Sequence, residues 1–321
     1  MDRTWKKNIS IIATETLGVR GLCCVVRAGD RRVLIDPGIA LGYYREGLLP
    51  HPVQIAVGSI IRERIIREVK AATDIVISHF HGDHMPLVDP NPYQLGVDGL
   101  RECLNTRKVW VKEFSRETGK RLERASGLAD LVDIIPVSAE KQRDGIMAFH
   151  GHLDHGEEGS FLGQVLITSI DLDGHLFCHA SDLQLLSTIM VEKLLEYSPS
   201  IVMVSGPPLY LEDFMETRKA QAWYNAALLA ENVDILILDH HLFRSRKGLE
   251  WFERLRETTG REIFSAAGLE DMEPHLLEAM RAELYDRIPV TSDWHRQYIM
   301  KKEDPFQYLA RARKMFSWFG Y

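Results

Sequence analysis

Residues 74–87 read DIVISHFHGDHMPL. The apolar run Ile75–Ile77, rich in β-branched side chains, predicts a buried strand. Directly behind it, His79, His81, Asp83 and His84 crowd into six positions. In extended backbone, residues two apart point the same way, so His79 and His81 can converge on one cation. Asp83 and His84 then face a second centre. Gly82, without a Cβ, lets the chain turn tightly so that ligands aim inward. Imidazole and carboxylate together suit Zn²⁺, and also Fe or Mn, whereas Ca²⁺ would demand mostly oxygen donors. Four such donors behind one buried strand point to a metal site rather than to a loop of solvated histidines.

Working outward, the stretch sits in an alternating pattern. NISIIA, LCCVVRA and RRVLID (residues 8–36) read as strands, with turn chemistry at Gly29-Asp30 and at Asp36-Pro37-Gly38. Ile61, Ile65 and Val69, four apart among Arg and Glu, predict an amphipathic helix over about 52–72. Residues 90–140 are polar and mixed, with short strand candidates at KVWVK (108–112) and LVDIIPV (131–137), and read as a surface excursion over the site. Further strands are predicted at 145–151, 163–172, 174–180, 201–206 and 234–241. Helices are predicted at 183–197, 214–231, 249–258 and 274–285. Alternation of this kind favours a layered α/β architecture. Residues 1–287 read as one domain. Residues 288–321 form a tail whose aromatics suggest docking onto the body or onto a second copy of the chain, a route to a homo-oligomer.

Composition narrows the classes. The chain has 321 residues, 45% hydrophobic and 26% charged, as in ordinary folded proteins. No apolar stretch reaches the length of a signal-peptide core or a membrane span, so a cytoplasmic location is expected. Cys23, Cys24, Cys103 and Cys178 form no CxxC pair, which suits a reducing compartment. A net charge of -7 argues against broad nucleic-acid binding. Locally, residues 101–124 carry eight Arg or Lys against four Glu. If that segment overhangs the metals it favours an anionic substrate; otherwise it is a solvated helix face.

Two metals would need about seven protein ligands, and the motif supplies four. At this point the chain resembles the metallo-β-lactamase superfamily, whose signature H-x-H-x-D-H is followed at long intervals by a His, an Asp and a final His at strand ends. The resemblance implies a four-layer αββα sandwich, here with a C-terminal helical extension. It implies His79, His81 and His155 on one metal, Asp83, His84 and His240 on the other, and Asp182 between them. His155 precedes Gly159-Ser160 in HGEEGS, with His152 as the alternative. Asp182 follows the strand in LFCHASD, where His179 is read as a residue that braces a ligand. DILILDHH offers His240 and His241 for the last ligand; His240, first after the apolar run, is preferred, with His241 as the alternative ligand or, pointing the other way, a contact to substrate. Asp36 in LIDPG matches an early Asp that braces the metal loop.

The implied chemistry is hydrolysis by a hydroxide held between two Zn²⁺ ions, with Asp83 orienting it or passing a proton to the leaving group. Small-molecule esters, lactones, thioesters or phosphodiesters are the expected substrates, with Tyr210 and Arg244 as pocket candidates. Segments such as HASDLQ and LDHHLFR are similar to an uncharacterised branch of hypothetical hydrolases, which brings no substrate with it. Fewer than sixty residues separate Asp182 from His240, too few for the inserted domain of nucleases that process long RNA. The competing classes are a diiron redox protein and a non-catalytic metal-binding or nucleic-acid-associated scaffold. No flavin-binding segment supports the first, and the complete ligand set disfavours the second.

Overall fold

A computed structural model describes residues 4–132 and 137–321, with the side chain of His152 outside the description. The first sheet comprises β1 (Ile9–Ala13), β2 (Cys23–Ala28), β3 (Arg31–Ile35), β4 (Asp74–Ile77), β5 (Lys108–Val111) and β6 (Val137–Ser138), side by side in chain order. β1 to β3 pair antiparallel, and β3 to β6 pair parallel. Parallel neighbours need a crossover, and α1 (Pro52–Ala71) supplies the one between β3 and β4. Its start is written locally: Pro52 opens the helix, Val53 N donates to His51 Nδ1 (3.1 Å), and His51 N donates to Gln54 Oε1 (3.0 Å). α2 (Arg101–Thr106) leads into β5, and α3 (Gly119–Leu131) returns the chain toward β6.

The second sheet holds β7 (Arg143–Asp144), β8 (Met147–Asp154), β9 (Gln164–Leu172), β10 (His175–His179), β11 (Ile201–Ser205), β12 (Ile235–Asp239) and β13 (Ile263–Phe264). β7 to β10 are antiparallel, and β10 to β13 parallel. The parallel crossovers are α4 (Thr188–Leu195), α5 (Glu216–Asn232) and α6 (Arg246–Thr259).

Strand alternation shows how the layers stack. Ile201 and Met203 of β11, with Ile235 and Ile237 of β12, join the core shared with the first sheet and α1. Val202, Val204, Leu236 and Leu238 point the other way, into a core closed by α4, α5 and α6. These strands are therefore buried on both faces, and β11 and β12 read as nearly unbroken apolar runs. The result is the four-layer αββα sandwich expected of the metallo-β-lactamase type. Truncating one inter-sheet side chain, as in Ile237→Ala, costs about 2–5 kcal/mol.

Beyond β13 come α7 (Ala266–Leu269), α8 (Arg281–Arg287), α9 (Trp294–Ile299) and α10 (Gln307–Met315). Tyr308, Leu309, Ala312, Phe316 and Phe319 share the core of α1, so these aromatics pack on the body of their own chain. Tyr321 Oη donates to Leu17 O at 2.8 Å, and Gly320 N to His275 Nε2 at 2.9 Å. Among the described residues, no helix is long and apolar enough to cross a membrane.

Three expectations change. Residues 90–140 are not an excursion: β5 and β6 extend the first sheet, although residues 133–136 of the predicted strand lie outside the described residues. The helix expected from residue 183 starts only at Thr188, because Gln184 and Leu185 sit in the left-handed region at φ 56 and 59. The helix expected over 274–285 is confined to Arg281–Arg287, with turns before it.

Candidate metal centre

Both sheets deliver their chemistry at strand ends. His79 lies two residues past β4, His155 directly after β8, Asp182 three past β10, and His240 directly after β12. Asp36, one residue past β3, pins these ends together. Its Oδ1 accepts from Ser78 N (2.7 Å), and its Oδ2 from Ser78 Oγ (2.7 Å) and Ser181 Oγ (3.0 Å). Ser78 O also accepts from Leu166 N of the second sheet (2.9 Å). Burial alone would raise the Asp36 carboxyl, but the hydrogen bond and charge of His84 outweigh it and hold it below the usual range. Asp36 is thus the brace the sequence suggested.

That brace sets ring orientations. Outweighing burial, Asp182 and Asp36 push His84 well above its ordinary value, and its Nδ1, 2.9 Å from Asp36 Oδ2, holds the ring with Nε2 facing inward. His79 Nδ1 lies 2.9 Å from Ser78 Oγ, with the same effect on its Nε2. Asp182 Oδ2 is the common target: His155 Nε2 stands at 3.1 Å, His241 Nε2 at 3.2 Å, His84 Nε2 at 3.4 Å and His79 Nε2 at 3.7 Å. Among the described residues, four overlapping groups of donor atoms result, two of them Asp36 with His79 and His84, and Asp182 with His240 and His241. His79, His81, His155 and Asp182 form the third, and Asp83, His84 and His240 the fourth, each gathered within 4.8 Å.

The donors fit a metal. His79 Nε2 and Asp182 Oδ1 are buried without any hydrogen-bond partner, and a stranded buried polar atom costs about 1–3 kcal/mol. A tetrahedral ion with bonds of about 2.0–2.1 Å spaces its ligand atoms roughly 3.4 Å apart, close to the spacings around Asp182. Burial pushes His81 down to about 3 and His240 to about 4, and His79 well below its ordinary value, so these rings are neutral ligands near pH 7. Burial opposes ionised Asp182, yet the charge of His84 and the hydrogen bond from His155 hold its carboxyl well below the usual range.

The remaining candidates sort as follows. His241 does not point away: Asp239 ends the strand and His240 takes φ 60, so strict alternation is lost and both rings turn toward Asp182. His179 stays one step back, its Nε2 bonded to Leu22 O at 2.9 Å, while the adjacent Gly21 N meets His240 Nδ1 at 3.3 Å. His152 lies outside the described side chains. Arg244, expected in a substrate pocket, is instead buried: Nε faces Glu15 Oε2 (3.3 Å), Nη1 donates to Tyr210 Oη (3.2 Å), and Nη2 reaches Asp83 Oδ2 (3.3 Å) and His240 Nε2 (3.1 Å). The charge of Asp83 draws it inward, and Glu15 and Tyr210 hold it from behind. Tyr210 Oη also meets His241 Nδ1 (3.2 Å), so it walls the centre through its partners.

Sequence reasoning missed the acid behind Arg244. Glu15 is fully buried, and burial with the charge of Glu278 raises it to about 8. Glu278 in turn pairs with Arg20, a contact across more than 250 positions that no local motif signals. Asp239 is also buried and accepts from Thr16 N, His240 N and Ala266 N (3.1, 2.7 and 2.9 Å), fixing the backbone that presents His240.

Part of the basic segment is neutralised: Lys112 and Arg121 both pair with Glu117, and Lys108 with Asp144. Arg124 donates to Phe80 O at 3.2 Å within the motif loop and lines a neighbouring cleft of 560 Å³ with Lys120, Glu123 and Gln94. A Cβ at Gly82 would come within 2.8 Å of Gln94 Nε2, the movable end of a long side chain, and Gly82 is not among the glycines with left-handed backbone.

No family model matches the chain. Solved structures it is similar to include Tm1679, a metal-dependent hydrolase of the beta-lactamase superfamily, at 13% identity and TM-score 0.48 over 80% of this chain and 94% of that one. CmlA, a diiron beta-hydroxylase from Streptomyces venezuelae, follows at 14% and 0.47, over 80% of this chain and 52% of that one. Sequence similarity is far stronger. A UPF0282 protein of Methanosarcina mazei is 40% identical over 291 residues, 90% of this chain and 95% of its own. Another, of Thermococcus gammatolerans, is 32% identical over 86% of this chain and 94% of its own. With identity at this level running nearly end to end in both relatives, the chain belongs to the UPF0282 family.

Proposed function

We propose that the chain is a dinuclear metal-dependent hydrolase, taking Zn²⁺ ahead of Fe or Mn, that acts on a small ester, lactone, thioester or phosphodiester. One observation carries the reading: four imidazole nitrogens face a single buried carboxylate oxygen of Asp182, while His79 Nε2 and Asp182 Oδ1 have no partner. His79, His81 and His155 would hold one ion, Asp83, His84 and His240 the other, and Asp182 would bridge them. When bound, such ions supply a solvent nucleophile at neutral pH and draw charge from the scissile group.

The chain's own residues do the rest. Asp36 and Ser78 fix the rings of His84 and His79, so no reorganisation is needed when a ligand arrives. Asp83, the partly exposed carboxylate of the set, is placed to orient the nucleophile or to carry a proton to the leaving group. Neutral His81 and His240 keep positive charge low before an ion enters.

The test is a metal analysis of the purified chain, followed by a hydrolysis screen over phosphodiester, lactone, thioester and lactam substrates. Zinc together with turnover that chelator abolishes and Zn²⁺ restores is the expected result. Bound iron with oxygen-linked redox turnover and no hydrolysis would overturn the reading.

A further inference from the structure

The two donor groups proposed to hold the ions differ in one respect that bears on occupancy. Around His79, His81, His155 and Asp182 no Lys or Arg nitrogen lies within hydrogen-bonding reach in any contact among the described residues. In the other group a cation is already present. Arg244 Nη2 stands 3.1 Å from His240 Nε2 and 3.3 Å from Asp83 Oδ2, the two atoms that would coordinate an ion there. Those atoms are themselves 3.6 Å apart, and His84 Nε2 is 3.4 Å from His240 Nε2. The guanidinium nitrogen therefore belongs to the same small polyhedron as the ligand atoms. It carries positive charge and no lone pair, so it can only repel an ion at coordination distance.

His240 carries a second sign of this competition. Gly21 N faces its Nδ1 and Arg244 Nη2 faces its Nε2, so both ring nitrogens meet donors. A neutral imidazole has one acceptor nitrogen and can satisfy one of them. Arg244 is held in place from behind by Glu15 and Tyr210, and it is only 5% exposed.

We infer that Arg244 acts as a built-in competitor for the second metal position, so that the chain binds one divalent ion tightly at His79, His81, His155 and Asp182 and admits the other only as the guanidinium withdraws. Arg244 is a positioning residue in this scheme, and the inference rests on the metal-site reading above. An anionic substrate group would favour the second ion by drawing Arg244 toward itself.

The experiment is calorimetric titration of Zn²⁺ into the chelator-stripped full chain. Wild type is expected to show one tight ion and a second bound at least about 30-fold more weakly, a gap of roughly 2 kcal/mol. Arg244→Gln alone would strand Glu15, so the informative variant is Glu15→Gln with Arg244→Gln, its fold checked by near-UV circular dichroism. In that variant the second ion should bind at least about tenfold more tightly while the first is unchanged. Two ions of equal affinity in wild type, or a second affinity untouched in the folded double variant, would overturn the inference and leave the hydrolase reading standing. Absence of any Zn²⁺ binding would overturn both.

Discussion

The two halves of the centre face the same Asp182 but settle their charge differently. The half built on His79, His81 and His155 gathers imidazoles around a buried carboxylate and leaves His79 Nε2 and Asp182 Oδ1 without a hydrogen-bond partner. The half built on Asp83, His84 and His240 already contains a cation, with Arg244 bridging Asp83 and His240 and anchored on Glu15. The first offers its donors with no cation among them, and the second already holds the guanidinium of Arg244. Donor type and spacing alone do not reveal this asymmetry; the surrounding cation does.

The harshest way to break the contrast is Asp182→Asn, which removes the carboxylate both halves share. Metal content after dialysis should collapse, with affinity down more than about 100-fold, as measured by elemental analysis. Next, His155→Ala and Asp83→Asn should separate the halves. The former should lose the tight ion, whereas the latter should keep it and lose turnover, both with unchanged far-UV circular dichroism. An H155A chain that keeps all its metal, beside His152→Ala that loses it, would move the ligand to His152. Asp36→Asn touches both halves through Ser78 and His84, and should weaken metal binding by about 10–100-fold in a titration.

A gentler probe uses acid on the metal-free chain. Burial depresses His51 and His295 to about 4, against about 6.5 unfolded. The folded state then binds fewer protons, so stability is full above about pH 6.5 and is lost as pH falls toward 4. The melting temperature should drop across that window, and His51→Gln should flatten part of the slope. Smallest of all, Tyr210→Phe removes hydrogen bonds to Arg244 and His241, and should cost about 0.5–1.5 kcal/mol in a denaturant melt with the tight ion retained.

Much of this was legible because it is local. The apolar run into His79 and the turn at Gly29-Asp30 are written within a few residues. The same holds for the start of α1 and the nearly unbroken strands β11 and β12. The converging ligands at 155, 182 and 240 came from a resemblance, and the geometry gathers all three. Three features escaped. Ser181, Gln184 and Leu185 adopt left-handed backbone, which residue type does not announce and which delays α4. His241 turns inward because His240 breaks the strand geometry. The pairs Glu15–Arg244 and Arg20–Glu278 join distant segments, and a single sequence gives no cue to such partners.

Those distant pairs also bear on how the molecule is made. Thr16 meets Asp239 across 223 positions, Glu15 meets Arg244 across 229, and Arg20 meets Glu278 across 258. Contacts this far apart form slowly, since the loop between them must be closed before they return any energy. The backbone presenting His240 is thus among the last parts to set, after both sheets exist. An ion that recognises only this finished arrangement adds to the folded state by mass action, about 2.7 kcal/mol at a hundredfold excess over its dissociation constant. Metal supply would then govern the lifetime of the folded chain as much as its chemistry.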